Sequence, residues 1–311
     1  MRTQLPFALL ATALACSLAT APANARARVF VASYGNDANP CTFGSPCKTF
    51  QVAVNAVDAG GEVTAIDSAG FGPISITKAV IITSPDGVEA GIVAAAGADA
   101  ITINAGPTDA IGLRGLTING AGNALNGVVF NTGATLTIQN CVIRNLIGQG
   151  INFIPSNSSS LSVSNSYVGN NGGHGILVQP NGSASATATF NRVETQYNGP
   201  SSYGIGLDSS LTSGTINGSI KDSVSSNNGG GYLLNIGNTN FLTAHYLSVV
   251  RSLVANNHTG LQGDFGSPIY VSETTITNNV LACNVEVASY KDNIVINNAG
   301  GNCVGSAATK Q

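Results

Sequence analysis

The feature that most constrains this chain is an internal repeat of about 25 residues. Two columns of small or polar residues recur through it. The first reads Gly115, Asn140, Asn165, Asn191, Asp222, Arg251, Glu273 and Asp292. The second, five residues further on each time, reads Gly120, Asn145, Asn170, Gln196, Asn227, Asn256, Asn278 and Asn297. Both step by 25, 25, 26, 31, 29, 22 and 19 residues, and chance rarely keeps two columns in register through such uneven steps. Short β-branched segments lie between the columns, at 136–138, 161–163 and 292–296 for example. After the second column come Gly150-Ile151, Gly175-Ile176, Gly204-Ile205 and Gly260-Leu261. There glycine supplies the backbone of a tight corner, and the apolar residue starts an inward-facing strand.

Three short strands joined by Asn/Gly corners in about 25 residues make one coil of a parallel β-helix. Successive coils pair at about 4.8 Å, and stacked Asn side chains hydrogen-bond up a corner as a ladder. From Gly61 to Asn297 the period predicts about nine or ten coils. No α-helical period recurs, which argues against leucine-rich and ankyrin-type solenoids.

The ends of such a stack need covering. Phe50, Ala53, Val54 and Val57 have helical spacing, so residues 49–58 read as a short capping helix, stopped by Gly60-Gly61. Residues 62–66 then begin the first coil. At the N-terminus, Arg2, the apolar run 5–21 and Ala23-Asn24-Ala25 read as a signal peptide with its cleavage site. Cys16 as a lipoprotein attachment site is the competing reading, poorly matched by Ala13-Leu14-Ala15. The expected organisation is therefore a signal peptide at 1–25, a lead-in segment with the capping helix at 26–60, and a β-helix at 61–311. In an oxidising compartment Cys41 and Cys47 form a local bridge, and Cys283 and Cys303 staple the far end. Zinc is the alternative, but neither pair has CxxC spacing. Cys141 is left over as a buried small hydrophobe.

Charged residues make up only 9% of the chain, at a net charge of −3, while Asn alone numbers 34. That balance excludes disorder driven by charge and argues against a nucleic-acid partner, which requires phosphate neutralisation. Beyond the N-terminal run, no apolar stretch is long enough to span a bilayer.

The lead-in Tyr34-Gly35-Asn36-Asp37-Ala38-Asn39-Pro40, followed by Pro46-Cys47-Lys48-Thr49-Phe50-Gln51-Val52-Ala53-Val54, resembles the N-terminus of exported bacterial β-helix proteins of the pectin-lyase-like superfamily. The resemblance extends from Arg28 to about Asn302. It implies a right-handed coil in an extracytoplasmic setting, and so an all-β, single-stranded right-handed parallel β-helix. It implies no single activity, because this fold carries lyases, hydrolases, esterases, epimerases and adhesins.

Enzymes of this fold have recognisable constellations. Gly173-His174-Gly175 matches one of the four polygalacturonase-like motifs, but the chain has no Asp-Asp pair for acid/base glycoside hydrolysis, and His174 reads as a corner residue. The epimerase-like Asp-Pro-His-Glu is absent. The nearest approach to uronate chemistry is Asp222, Arg251, Glu273 and Asp292. Stacked about 5 Å apart they would be the catalytic candidates if the chain is an enzyme, with Lys221 or His258 as a base and calcium as the one candidate cofactor. The competing reading is an outward ladder of alternating charges that pair for register.

A binding face is the simpler expectation. The two longest steps imply loops carrying Tyr197, Tyr203, Asp208, Tyr232, His245 and Tyr246, and tyrosine rings suit stacking on sugars. The reading is a monomeric, exported scaffold that binds a polysaccharide or surface glycan without catalysis and without a required cofactor. The alternatives are a divergent polysaccharide-processing enzyme and a purely structural or adhesive module.

Overall fold

The computed structural model describes residues 26–236, 245–264, 269–284, 287–301 and 303. Residues 1–25, read from the sequence as a signal peptide and including Cys16, lie outside the described residues. The chain is a parallel β-solenoid with three strands per coil. In one coil these are Thr135–Gln139, Val142–Arg144 and Ile151–Phe153. The first two legs belong to a 19-stranded sheet bent along its length, and the third leg belongs to a nine-stranded sheet. Among the described residues nine third legs stack in the shorter sheet.

Alternation along each strand builds the core. Leu136 and Ile138, then Leu161 and Val163, then Ala188 and Phe190 point inward from successive coils and are fully buried. On the opposite wall Phe130 and Phe153 stack at 4.5 Å.

Both columns of the repeat are backbone positions. Asn140, Asn165, Arg192, Asp222, Arg251, Glu273 and Lys291 are left-handed, with φ between 48° and 62°, and bend the long sheet. Asn145, Asn170, Tyr197, Asn227, Asn256, Asn278 and Asn297, with φ between 52° and 60°, end the second leg. Asn dominates because its short polar side chain tolerates this region better than other residues with a Cβ. The structure corrects the columns at four places, one of them Gly120, which is not left-handed while Ala121 beside it is, at φ 50°. Ser164 pairs with Asn191 and Ser166 with Val193, so Asn165 lies opposite Arg192 and not Asn191. Likewise Tyr197 and Lys291 hold the left-handed positions expected for Gln196 and Asp292.

The asparagine ladder exists, one residue beyond the second column. Asn171 Nδ2 donates to Asn198 Oδ1 at 3.0 Å, Asn198 to Asn228 at 2.9 Å, Asn228 to Asn257 at 3.2 Å and Asn257 to Asn279 at 3.1 Å. All five are buried, so the ladder satisfies amides that would otherwise cost about 1–3 kcal/mol each. A hydroxyl ladder follows the first bend: the backbone N–H groups of Cys141, Ser223 and Ser252 donate to Ser166 Oγ, Ser252 Oγ and Thr274 Oγ1 on the next coil.

The N-terminal cap is the helix Phe50–Ala56, with Thr49 as N-cap accepting from Val52 N–H. Asp37 accepts from Lys48 N–H and Thr49 N–H, both at 2.9 Å, which ties the lead-in segment to the helix start. Phe50, Ala53, Val54 and Val57 are buried, and Phe50 packs on Phe71 with ring centroids 4.9 Å apart. The long sheet begins earlier than the sequence suggests, because Arg28–Val31 pairs in parallel with Gly61–Ala65. Cys41 is bonded to Cys47 and Cys283 to Cys303; Cys141 is free. No helix among the described residues is long and apolar enough to cross a membrane.

Candidate functional site

The surface opens along the corner between the second and third legs. An elongated cleft of about 860 Å³ runs along it over four coils. Its residues come from equivalent corner positions: Asn170, Tyr197, Asn227 and Asn256 from the left-handed column, the ladder asparagines behind them, and Pro200 and His258. The column is left-handed, so its side chains leave the coil outward. Tyr197 is 56% exposed, so its ring stands free at the rim. Glycines 172, 199 and 229 keep the cleft open and let neighbouring corners approach closely. A side chain on Gly172 or Gly229 would collide with the backbone of the preceding coil. The lining is amide, aromatic, imidazole and backbone, and no carboxylate takes part among these described residues.

The same corner segments lead directly into the third legs. There His174 and Tyr203 stack with rings 5.7 Å apart and nearly parallel. His174 Nδ1 accepts the Tyr203 backbone N–H at 3.0 Å, and burial holds the imidazole below its ordinary pKa. A neutral ring with Nδ1 occupied by a backbone donor is a positioned corner residue, as its sequence context suggests. The Tyr203 hydroxyl is hydrogen-bonded with the Gln262 side chain, and burial pushes its pKa up. Further along the same strand, Asp208 accepts from Gln179 Nε2 at 2.7 Å and Asn235 Nδ2 at 2.9 Å.

The structure disperses the predicted tyrosine cluster. Tyr203 and Asp208 lie on the strand Tyr203–Asp208, not in a loop. Tyr232 is fully buried on Gly230–Asn235, paired with Ile205 and Leu261, so it belongs to the core and offers no platform to a ligand. Strand alternation is the reason: Tyr232 falls on the inward parity that Ile151, Ile176 and Ile205 occupy in earlier coils. His245 is also buried, its Nδ1 accepting from Ile216 N–H at 3.0 Å. Tyr246 is exposed, but on the long sheet. Tyr197 alone of the predicted tyrosines lines the cleft. The column asparagines were legible as corners; their shared cleft was not.

The charged column contains an ion pair. Arg251 donates to both carboxylate oxygens of Asp222. Arg192 and Lys291 also belong to the column, so its sequence is Arg192, Asp222, Arg251, Glu273, Lys291, with signs that alternate. Asp292 stands beside the column and accepts from Ser272 Oγ and Glu273 N–H. Among the described residues, no three His, Cys, Asp or Glu side chains gather in a metal-binding arrangement. Cys141 is buried beneath the first bend, and burial pushes its thiol up to about 11, where it stays protonated and unreactive.

No protein-family model matches the chain, and no curated protein matches it. Solved structures do. The pectate lyase Pel9A superposes with a TM-score of 0.59 at 14% identity, over 91% of this chain and 81% of the other. The A-module of the Azotobacter vinelandii mannuronan C-5 epimerase AlgE4 gives 0.52 at 14%, over 81% and 91%. The polygalacturonase of Erwinia carotovora ssp. carotovora gives 0.52 at 14%, over 84% and 92%. At these identities the likeness is one of fold alone, a right-handed parallel β-helix.

Proposed function

We propose that this right-handed parallel β-helix is an exported, monomeric scaffold that binds a glycan in the corner cleft without turning it over. The observation that carries this reading is the cleft itself. An exposed tyrosine ring stands beside a row of asparagine amides, which combines a stacking surface with donors and acceptors matched to sugar hydroxyls. Two disulfides support an oxidising compartment. Polysaccharide-acting neighbours on the same fold support a glycan as partner. The residues Asp222 and Arg251 are committed to one another and lie on a different edge of the coil from the cleft, which counts against their use as a reacting pair.

A second reading, a divergent uronate lyase or related enzyme, draws on the activities of those neighbours. One experiment separates the two. Purified protein is screened on acidic and neutral oligosaccharides, with and without calcium, following both retention and product formation. Retention without turnover, weakened about tenfold in Tyr197→Asn, is the expected result. Asparagine keeps the left-handed backbone that its counterparts Asn170 and Asn227 adopt, so this variant removes the ring alone. Product formation lost in Asp222→Asn or Arg251→Asn would make the protein an enzyme. Neither retention nor turnover would leave a structural or adhesive role.

A further inference from the structure

The first leg of each coil presents a flat outer face, distinct from the corner cleft. Strand alternation buries Leu136, Leu161, Ala188 and Leu247 and turns their neighbours outward. Parallel register lines these neighbours up in two columns. One runs Thr135, Ser160, Thr187, Asn217; the other runs Thr137, Ser162, Thr189, Ser219, Ser248. Rungs lie about 4.8 Å apart and the columns about 6.6 Å apart, so the hydroxyls form a regular two-dimensional array. None of these positions is charged. None of the Ser and Thr hydroxyls is hydrogen-bonded to another described residue, and Asn217 Oδ1 is buried without a partner.

Both ends of the array change character in a way that points to a ligand. Towards the N-terminal end, Ala110 and Gly112 take the places of Thr135 and Thr137, and Ile81 follows on the next rung. The missing side chain at Gly112 leaves a depression of about 360 Å³, walled by Ile81 and by Thr135 and Thr137, with Arg114 and Gln139 at its rim. Ile81 is 46% exposed. Towards the other end, Tyr246 continues the first column and Tyr270 the second, and both are exposed. An apolar notch, an uncharged hydroxyl array and two aromatic rings thus follow one another along the solenoid axis. From Gly112 to Tyr270 the span is about 29 Å.

We propose that this face is a second glycan-binding surface, for a neutral polysaccharide chain lying along the solenoid axis with one sugar ring seated over Gly112. A sugar ring has an apolar face and an equatorial belt of hydroxyls. The notch and the tyrosines suit the faces, and the unpaired Ser and Thr hydroxyls suit the belt as both donors and acceptors. The two columns carry no charge, and the nearest cations, Arg114 at the notch rim and Lys221, stand four rungs apart on the adjoining column, too sparse to neutralise an acidic chain. The proposal does not rest on the corner cleft, and together the two surfaces would let one molecule bridge two chains.

The test is co-sedimentation of the purified protein with insoluble neutral polysaccharides, microcrystalline cellulose and mannan. The variants are Gly112→Val, which fills the notch; the double variant Thr137→Lys/Thr189→Lys, which charges the array; and Tyr197→Asn, which alters only the corner. Circular dichroism and the urea midpoint confirm that each variant is folded. The expected result is sedimentation by the wild type and Tyr197→Asn, with at least a fivefold loss in the two face variants. Wild-type sedimentation by both face variants overturns the proposal. So does failure of the unaltered protein to sediment with either polymer, an outcome that leaves the corner cleft to be judged by soluble oligosaccharides and Tyr197→Asn. Inhibition of ice recrystallisation without polysaccharide retention would assign the array to an ordered water surface and likewise overturn it.

Discussion

Arg251 donates through Nε and Nη2 to the two carboxylate oxygens of Asp222, at 2.8 and 3.0 Å, across a separation of 29 residues that spans one coil. Both residues are left-handed, at φ 48° and 51°, in a column that uses Gly and Asn in the earlier coils and charged residues in the later ones. A forked guanidinium on a carboxylate has directional preference as well as charge, so the pair specifies which coil stacks on which.

The hydrogen bond from Arg251 holds the Asp222 carboxyl below its usual range. A depressed carboxyl contributes stability above its unfolded pKa and loses it as pH falls through the folded value. The stability difference between the wild type and Arg251→Asn is therefore expected to persist at neutral pH and vanish in acid, below the ordinary carboxylate range. Urea unfolding across pH checks this. High salt shrinks the difference at every pH, because the pair is solvent-exposed.

Asn228 stands in the middle of the buried ladder. Its Oδ1 accepts from Asn198 N–H and Nδ2, both at 2.9 Å, and its Nδ2 donates to Asn257, Thr195 and Ser225. Asn228→Leu strands donors and acceptors on both neighbouring coils. We expect a loss of about 3 kcal/mol or more, read as a lower urea midpoint.

Tyr232 presents the opposite case. Its hydroxyl is fully buried without a hydrogen-bond partner, and burial pushes its pKa far up. Tyr232→Phe removes a desolvated hydroxyl and keeps the ring in the core. The expected outcome is a gain of about 1 kcal/mol, seen as a raised Tm, with glycan retention unchanged.

His174 and His245 both use Nδ1 to accept a backbone N–H, and burial holds both below the ordinary value of 6.5. A histidine with a lowered folded pKa contributes stability above its unfolded pKa and loses it as pH falls towards the folded value. Stability is expected to decline as pH drops below about 6.5, and the decline to be shallower in His174→Asn. Thermal melts between neutral and mildly acidic pH decide this.

The repeat, both bend columns, the capping helix and both disulfide pairs were legible in the sequence, because each rests on a local requirement. A left-handed residue must be Asn, Gly or something tolerated in their place, a helix must space its apolar face, and a nearby cysteine pair must close a loop. The sequence could not phase the columns to the residue. Arg192 replaces Asn191, and Tyr197 replaces Gln196, because register is set by the pairing of Ser164 with Asn191 one coil away. A slip of one residue exchanges inside and outside along a strand. Tyr197 is free at the cleft rim because it holds a left-handed corner, whereas Tyr232 falls on the inward parity of its strand and is buried. What the sequence determined was the period of the solenoid. Which side chains reach its surface together was decided by the stacking of the coils.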